Sequence, residues 1–402
     1  MNSAGSQHKS ERAVIAYLAF LGMLMATGID IALPAFDEIN ADLDAGSRES
    51  LIVTLYVMGA AVGQLVVGPV SDWAGRRVTV LGGLVLYIVG AVVSALAPSY
   101  VLLLVARFAW GLGAAAPMGL RNAIARDLYS GDAMARVATI MMAVFLLGPV
   151  FTPLIGDVIL SLGSWRFVFW FAAALGIVAL AWAARFGETL PPERRRPLAV
   201  AEFAKAVRRI GRTRVTLGHL LANVFFSAAF FIFLGSSQPV FDRVFGRADQ
   251  FAVWFAVLGL CTIPLLIINN GLIKRFGGRR MSLLASGVST TASVAAAGWA
   301  LAVGPPSFWP WYVWLIVATS FVTLATPVIS ALALDPMGDL AGTVSSLLYF
   351  TGFAIGALLA ALVDARIEAS VTPFLVGFAI FMVIGYAFQM WAGAGAADTD
   401  RA

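Results

Sequence analysis

The chain has 402 residues, of which 60% are hydrophobic and 12% are charged, and its mean hydropathy is +0.88. A soluble domain needs a far more polar surface, so this composition excludes a water-soluble protein. The single cysteine, Cys261, excludes an intrachain disulfide, and two histidines are too few for a histidine-rich metal site. The net charge of +5 would suggest a nucleic-acid partner in a soluble protein, but here the basic residues lie in short loops, where membrane topology explains them. We therefore predict a membrane protein with no metal site and no nucleic-acid partner.

Long apolar runs follow one another along the whole chain. A helix of about 20 apolar residues crosses the hydrocarbon core, so we predict an all-α membrane protein with twelve transmembrane helices in the lipid bilayer. The first run exceeds the apolar core of a signal peptide and contains Asp30, so we expect it to be retained. The predicted spans are 14–35, 49–71, 78–97, 100–123, 135–161, 166–185, 215–238, 250–273, 281–303, 309–333, 343–366 and 373–393.

Basic residues are concentrated in alternate loops. One set comprises Lys9, Arg12, Arg76, Arg77, Arg126, Arg136, Arg185, the cluster Arg194–Arg214, Lys274, Arg275, Arg279, Arg280 and Arg401. The opposite loops hold Arg48, Arg166, Arg243, Arg247 and Arg366, together with the acidic group Asp37, Glu38, Asp42, Asp44 and Glu49. Because cytoplasmic loops carry an excess of Lys and Arg, this pattern predicts both termini in the cytoplasm.

A polar segment, Gly187–Arg214, divides the apolar runs into two sets of six. The predicted parts are a tail at 1–13, a six-helix bundle at 14–186, a linker at 187–214, a second six-helix bundle at 215–393 and a tail at 394–402. An internal repeat supports the division, because Gly68–Arg77 after the second run and Gly271–Arg280 after the eighth share their glycine spacing and a final Arg-Arg pair. Duplicated halves are typical of secondary transporters.

The segment Gly68–Arg77, read as G-x-x-x-D-x-x-G-R-R, resembles the signature loop of the major facilitator superfamily. Its glycines are expected to permit a tight turn and close helix approach, and Asp72 is expected to pair with basic groups at the helix end. The resemblance implies a conformational latch formed by Gly68, Asp72, Gly75, Arg76 and Arg77. In the second copy Arg275 stands where Asp72 stands in the first, so we expect no equivalent latch there.

The fourth span contains Leu104–Ala116, which is similar to the superfamily's fourth-helix motif. The arginine of that motif, here Arg107, aids proton coupling in the family. A charged group in mid-helix is costly in lipid and must face a cavity or a partner. The alternative is a structural hydrogen bond between helices. Trp110 stands where the family usually has Gln, which predicts an aromatic wall beside Arg107.

The fifth span resembles the antiporter motif of drug/proton exchangers through Gly148, Pro149, Pro153 and Gly156. Asp157 replaces the second glycine of that motif. Glycine and proline bend a membrane helix and let a neighbour approach closely, although generic bundle packing uses the same residues.

The first span ends in Thr27–Pro34, which is similar to the first-helix motif of the drug-exporting branch. With Arg126–Tyr129, Ser164–Arg166, Glu188–Leu190 and Ala341–Val344, the chain resembles the Bcr/CflA drug-resistance family, to which chloramphenicol-type exporters are related. The resemblance implies a major facilitator fold of two pseudo-symmetric bundles, residence in the bacterial inner membrane, substrate/proton antiport, a monomer and no cofactor.

Asp30 is the clearest acid inside a span. At 1.5 Å per residue it lies roughly 8 Å from the outer end of its helix, and Arg107 lies roughly 10 Å from the outer end of its own. Low dielectric favours the neutral form of a carboxyl group, and a nearby arginine opposes this. We hypothesise that Asp30 takes a proton from outside and releases it inside, in competition with substrate. The alternative is an interfacial acid that reaches water.

The sequence therefore predicts an exporter of amphiphilic drugs or antibiotics, with a carrier for a natural metabolite (an amino-acid-derived compound, a sugar or a siderophore) as the alternative. The cavity residues are predicted to include Tyr56, Gln64, Arg121, Asn223, Phe226, Phe230 and Thr323. Each of these side chains also has a packing interpretation.

Other classes of membrane protein fit the sequence less well. We expect no appended soluble domain, which argues against a sensor, and no phosphate-loop pattern is present for an ATP-driven pump. No metal cluster or nucleophile pairing typical of an enzyme is seen in the spans.

Overall fold

The computed structural model describes residues 11–45, 48–129, 131–195, 207–367 and 370–399, and every regular element within these ranges is helical. Most of the predicted N-terminal tail, residues 196–206 of the predicted linker and the last three residues of the predicted C-terminal tail lie outside them.

The helices of the first half are α1 (Glu11–Asp30), α2 (Phe36–Leu43), α3 (Ser50–Ala74), α4 (Arg76–Ala95), α5 (Tyr100–Leu128), α6 (Gly131–Ser161) and α7 (Arg166–Phe186). Those of the second half are α8 (Arg214–Pro239), α9 (Phe251–Phe276), α10 (Gly278–Ala302), α11 (Phe308–Leu334), α12 (Ala341–Phe350), α13 (Gly356–Asp364) and α14 (Thr372–Thr399). One π-helical turn, Val240–Val244, extends α8, and another, Thr351–Ile355, joins α12 to α13.

Every apolar run predicted as a span is helical over most of its length. Among the described residues, ten helices are long and apolar enough to cross a membrane. The chain is thus a multi-pass, all-helical membrane protein, while the count of twelve crossings stays a prediction.

The structure differs from the prediction at the end of the first span. The α-helix ends at Asp30, and a short 3-10 helix, Leu33–Ala35, then leads into α2. Pro34 explains the break, because proline has no amide hydrogen and disfavours the α conformation in the residue before it. Asp30 is therefore the last residue of α1, where the helical hydrogen-bonding pattern stops.

The helices pack mainly within their own half of the chain. In the first half α5 lies against α1, α3 and α4, and in the second half α8 lies against α11, α13 and α14. Contacts between the halves include the packing of α6 against α9 and of α3 against α8, α12 and α13.

The two ends of the helices differ in charge. We call one the basic end; its helix termini and loops carry Arg76, Arg77, Arg126, Arg185, Lys274, Arg275 and Arg279. We call the other the acidic end; it carries Asp37, Glu38, Asp42 and Glu49. Since α1 starts at the basic end, Asp30 lies towards the acidic end.

Candidate functional site

Asp30 is a buried carboxyl group, with only 2% of the residue exposed. Its Oδ1 atom has no hydrogen-bond partner among the described residues. Leaving a buried polar atom unpaired is costly, so this oxygen is a place for a partner from outside the chain, such as a water molecule, a proton or a substrate.

Arg107 is completely buried on α5. Its Nε donates to the carbonyl of Ile52 at 3.0 Å, whereas Nη1 and Nη2 find no hydrogen-bond partner in the part of the chain that the structure describes. The guanidinium carbon instead lies 4.6 Å from the ring centroid of Tyr56, 4.9 Å from that of Trp110 and 5.9 Å from that of Phe169. Aromatic faces attract cations, and more strongly when both are removed from water. The charge of Arg107 is therefore held by an aromatic cage.

Tyr56 connects Asp30 and this cage. Its hydroxyl donates to the carbonyl of Met25 at 3.4 Å, and its ring packs so closely on Gly28 that a Cβ atom there would overlap it. One side of Tyr56 thus touches the last turns of α1, next to Asp30, and its face covers Arg107. We call Asp30, Tyr56, Arg107, Trp110 and Phe169 the buried array.

The glycines of the predicted antiporter motif lie where α6 meets α1. A Cβ atom on Gly148 would stand 2.8 Å from the Cβ of Ala26, and one on Gly156 would stand 2.7 Å from the carbonyl oxygen of Ile31. Both distances are too short for a side chain, so both positions require glycine for this packing. The two contacts flank Asp30, and the motif therefore seats α6 against the end of α1 that carries the acid.

The other residues of this motif differ in exposure. Pro153 is buried, whereas Asp157 is exposed and has no place in the buried array. The side chain of Pro149 lies outside the described part of α6.

Arg76 is the centre of a polar network at the basic end. Its Nη1 donates to Asp72 Oδ1 at 2.7 Å and to Ser71 Oγ at 2.5 Å, and its Nε donates to Asp127 Oδ2 at 3.2 Å. Thr189 Oγ1 donates to the same Asp127 oxygen at 3.3 Å. The network joins α3, α4, α5 and the chain after α7, all in the first half.

Glu188 holds the start of α4. Its Oε1 accepts from the backbone N–H of Arg76 at 3.0 Å, and its Oε2 accepts from that of Arg77 at 3.2 Å. Oε1 also accepts from the backbone of Thr189 and Leu190, at 2.9 Å each. A carboxylate here satisfies amides that have no partner in the helix and complements the positive end of the helix dipole.

The glycines of the signature loop have unequal roles. Gly75 has a φ of +102°, which only glycine adopts easily, so it makes the turn between α3 and α4. The close approach predicted for Gly68 is not seen, because this residue lies inside α3 with open space where its Cβ would be. In the second copy Gly277, with a φ of +84°, makes the turn, one residue earlier relative to the Arg-Arg pair.

Gln64 and Arg121, two of the predicted cavity residues, contact other helices of the first half. The Nε2 of Gln64 donates to the carbonyl of Ala115 at 3.1 Å and so joins α3 to α5. Arg121 is 7% exposed and packs against Gly22 of α1, where a Cβ would collide with its guanidinium.

Asn223 and Phe226 of α8 lie between helices of the second half. The Nδ2 of Asn223 donates to the carbonyl of Leu348 at 3.1 Å, and the ring of Phe226 fills the space beside Gly385 of α14. Phe230 and Thr323 are half-buried. The structure thus gives Asn223 and Phe226 packing contacts, and a role of these four residues in binding stays a prediction.

Sequence reasoning missed a second polar group, at the acidic end. Asp364 is buried and accepts a 2.5 Å hydrogen bond from Ser236, and the buried Glu49 pairs with Arg243 of the other half. The available signal was that Asp364 lies inside the predicted span 343–366, because an acid inside a span is also what identified Asp30.

A sequence profile of the Major Facilitator Superfamily matches residues 18–361. The chain belongs to the major facilitator superfamily. Members of this superfamily are transporters, which confirms that the chain is a membrane transporter and not an enzyme.

Two bacterial members align along nearly the whole chain. The uncharacterised MFS-type transporter YdgK of Bacillus subtilis is 30% identical over 387 residues, which are 93% of this chain and 94% of that protein. The bicyclomycin resistance protein homolog of Haemophilus influenzae is 29% identical over 388 residues, 94% of this chain and 96% of that protein. The multidrug resistance protein MdtL of Escherichia coli is 33% identical over 161 residues, 40% of this chain and 41% of that protein. These relatives confirm the resemblance to the drug-resistance members of the superfamily.

Solved structures of the superfamily share the fold. A crystal structure of a D-xylose–proton symporter superposes with a TM-score of 0.76 at 15% identity, covering 95% of this chain and 97% of the symporter. The peptide transporter PepTSo gives a TM-score of 0.75 at 14% identity, covering 98% of this chain and 99% of that transporter. At these identities the likeness shows the fold alone.

Proposed function

We propose that this protein is a proton-coupled secondary active exporter of amphiphilic drugs or antibiotics, working by alternating access. Its membership of the superfamily establishes small-molecule transport. The names of the aligned relatives, a bicyclomycin resistance protein homolog and a multidrug resistance protein, favour drug export over uptake of a natural metabolite. They also favour the Bcr/CflA branch.

The observation that carries the proton coupling is the buried array. Asp30 has an unpaired oxygen, and Arg107 has two nitrogens without hydrogen-bond partners among the described residues, with Tyr56 packed between the helices that bear them. An ionised Asp30 needs a positive or hydrogen-bonding partner, whereas a protonated one is neutral and costs far less free energy to bury without a partner. Substrate and proton would then compete for Asp30, which couples the outward flow of one to the inward flow of the other.

The architecture of this transporter is proposed to be twelve crossings in two pseudo-symmetric six-helix bundles. The dense packing within each half, with contacts between the halves formed by α6 and α9 and by α3 with α8, α12 and α13, supports two units that rock against each other. The network around Arg76 would fix the first unit at the basic end. By the positive-inside rule that end would face the cytoplasm, placing both termini there, in the inner membrane of a bacterium and in a monomer.

The test is a susceptibility panel in an efflux-deficient bacterial host, with the empty vector as control. The panel contains chloramphenicol, florfenicol, bicyclomycin and a cationic dye, each with and without a protonophore. Resistance to one or more compounds that the protonophore abolishes is the expected result. Enhanced uptake of a nutrient, with no change in drug susceptibility, would instead identify a natural-metabolite carrier and overturn the proposal.

A further inference from the structure

The two halves of the chain are joined by polar contacts at the acidic end. The Nε2 of Gln238, on α8, donates to Asp37 Oδ2 of α2 at 2.6 Å. Arg243, just after α8, pairs with Glu49, just before α3, and the Glu49 side chain is 2% exposed. These contacts hold the two halves together at this end, which we describe as the closed arrangement. We call Asp37, Glu49, Gln238 and Arg243 the seam.

Asp364, the last residue of α13, lies against the seam. It is 7% exposed, and its Oδ1 accepts from Ser236 Oγ at 2.5 Å. Its Oδ2 lies 2.8 Å from the position that a Cβ of Gly235 would take, and the Cβ of Ser50, in the first half, lies 3.3 Å from the same position. Asp364 is therefore buried at the contact between the halves, where opening the seam would expose it to water.

A small cavity connects Asp364 with the ion pair. Its volume is about 10 Å³, and its lining includes Glu49, Ser50, Arg243 and Asp364. This is close to the least space that holds one water molecule, and the lining is polar enough to bind it. A water molecule there would lie between the ion pair and Asp364.

The basic groups near Asp364 have other partners. The charged and titratable groups at the acidic end of the elements packed around the site include Asp37, Arg48, Glu49, Tyr100, Asp242, Arg243 and Arg366. Arg243 pairs with Glu49, and Arg366 donates to the carbonyl of Leu362 at 3.0 Å. Among the described residues Ser236, a neutral hydroxyl, is the one hydrogen-bond donor to the Asp364 carboxyl.

We propose that Asp364 is a second proton-binding residue and that its protonation holds the seam closed. The proposal rests on the proton-coupled function above and extends it to the second half. In the closed seam an ionised Asp364 would be a buried charge with one neutral donor, and this is costly. In an open seam water would solvate it.

The direction of the effect follows from linkage. Because ionisation is penalised only while the seam is closed, the closed seam binds the proton more tightly than the open one. Low pH on the side of the acidic end therefore favours the closed seam, and high pH favours the open seam. In an exporter, a proton bound after substrate release would close the outer side and start the return step.

The experiment measures opening of the seam with a single thiol in the full-length protein in lipid nanodiscs. Cys261→Ser removes the native thiol, and Ser50→Cys places a nearly isosteric thiol in the cavity lining. The rate of maleimide labelling is followed from pH 5.5 to pH 8. Because the thiolate fraction itself rises with pH, each rate is divided by that of Leu162→Cys, an exposed position at the same end.

With Asp364 present, the corrected rate is expected to rise roughly fivefold or more from pH 5.5 to pH 8, the usual size of coupling between two sites. Asp364→Asn, which is permanently neutral, is expected to give a slow rate that does not change with pH. The matched control Asp249→Asn, an exposed acid at the same end, should keep the full response. An unchanged pH response in Asp364→Asn overturns the proposal.

Ser236→Ala keeps the test decisive if Asp364→Asn fails to fold. Loss of this donor disfavours the ionised form of Asp364. The pH at the midpoint of the rise in the corrected labelling rate is therefore expected to move up by roughly 0.5–1 pH unit. An unmoved midpoint contradicts the proposal. The measurement uses neither substrate nor a proton gradient, so the seam proposal and the proposed drug efflux can fail independently.

Discussion

The guanidinium of Arg107 lies over the ring of Tyr56 at 4.6 Å, while the hydroxyl of Tyr56 donates to Met25 in the neighbouring helix. One aromatic ring thus links the buried cation of α5 to the end of α1, where Asp30 lies. A shift of either helix must disturb the other through this ring. The relationship gives the buried array a physical way to transmit a change of charge at Asp30.

The aromatic cage is fitted to a planar guanidinium. Arg107→Lys keeps the charge but replaces the flat group with a compact, strongly hydrated ammonium, and it loses the hydrogen bond from Nε to Ile52. We expect proton-driven transport to fall roughly tenfold or more, because each desolvated cation–π contact is worth about 1–2 kcal/mol. Transport assays in vesicles measure this. The control Arg185→Lys, at an exposed helix end, should keep wild-type rates.

The glycines of α6 are expected to be intolerant of a methyl group. Gly156→Ala places a Cβ against the carbonyl of Ile31, and we expect a loss of roughly 1–3 kcal/mol of stability from overpacking. Gly82→Ala is the matched control, because Gly82 has open space around its Cβ position and alanine is the better helix former by about 1 kcal/mol. Thermal unfolding in detergent should lower Tm for the first variant only. Equal Tm values for both would contradict the close packing of α6 on α1.

Glu188 is expected to stabilise the first half by capping α4. Glu188→Ala removes the acceptor for the backbone amides of Arg76 and Arg77. We therefore expect the free energy of unfolding to fall by about 1 kcal/mol and Tm to decrease. Glu193→Ala, at a nearby exposed acid, should change stability by less than about 0.5 kcal/mol. The two Tm values, measured side by side, test the assignment, and a larger loss in Glu193→Ala would refute it.

The proposed orientation has a direct test in intact cells. In a background without Cys261, a cysteine replacing Glu193 should resist an impermeant maleimide added from outside, whereas one replacing Leu162 should react. The two positions lie at opposite ends of the first-half helices, and both are exposed. Labelling of the Glu193 position in unbroken cells would reverse the topology and place the basic end outside.

Much of the fold could be predicted because the membrane imposes a simple rule on sequence. Apolar runs ended by polar residues gave helix positions within a few residues, for example 166–185 against Arg166–Phe186. The end of α1 was missed because an apolar run continues through Ile31 and Leu33, and hydropathy does not register the break that Pro34 imposes. The turn of the second repeat lies at Gly277, and the sequence alone does not distinguish it from Gly278, because two successive glycines fit the same pattern.

The candidate site was only partly visible for a different reason. Asp30 and Arg107 are charges within apolar runs, and one sequence suffices to detect such residues. Their surroundings are not local: Phe169 reaches Arg107 from α7, and Glu49 meets Arg243 from the other half of the chain. Such pairings depend on how helices pack, and no spacing in a single sequence encodes them.

Proton coupling through Asp30 is tested most directly by one measurement. Inverted vesicles containing the wild type, Asp30→Asn or the control Asp249→Asn are energised with a proton gradient, and accumulation of a drug identified by the panel is followed. We expect Asp30→Asn to abolish gradient-driven accumulation while gradient-free exchange of the drug persists, and the control to match the wild type. Full gradient-driven accumulation by Asp30→Asn would contradict the account.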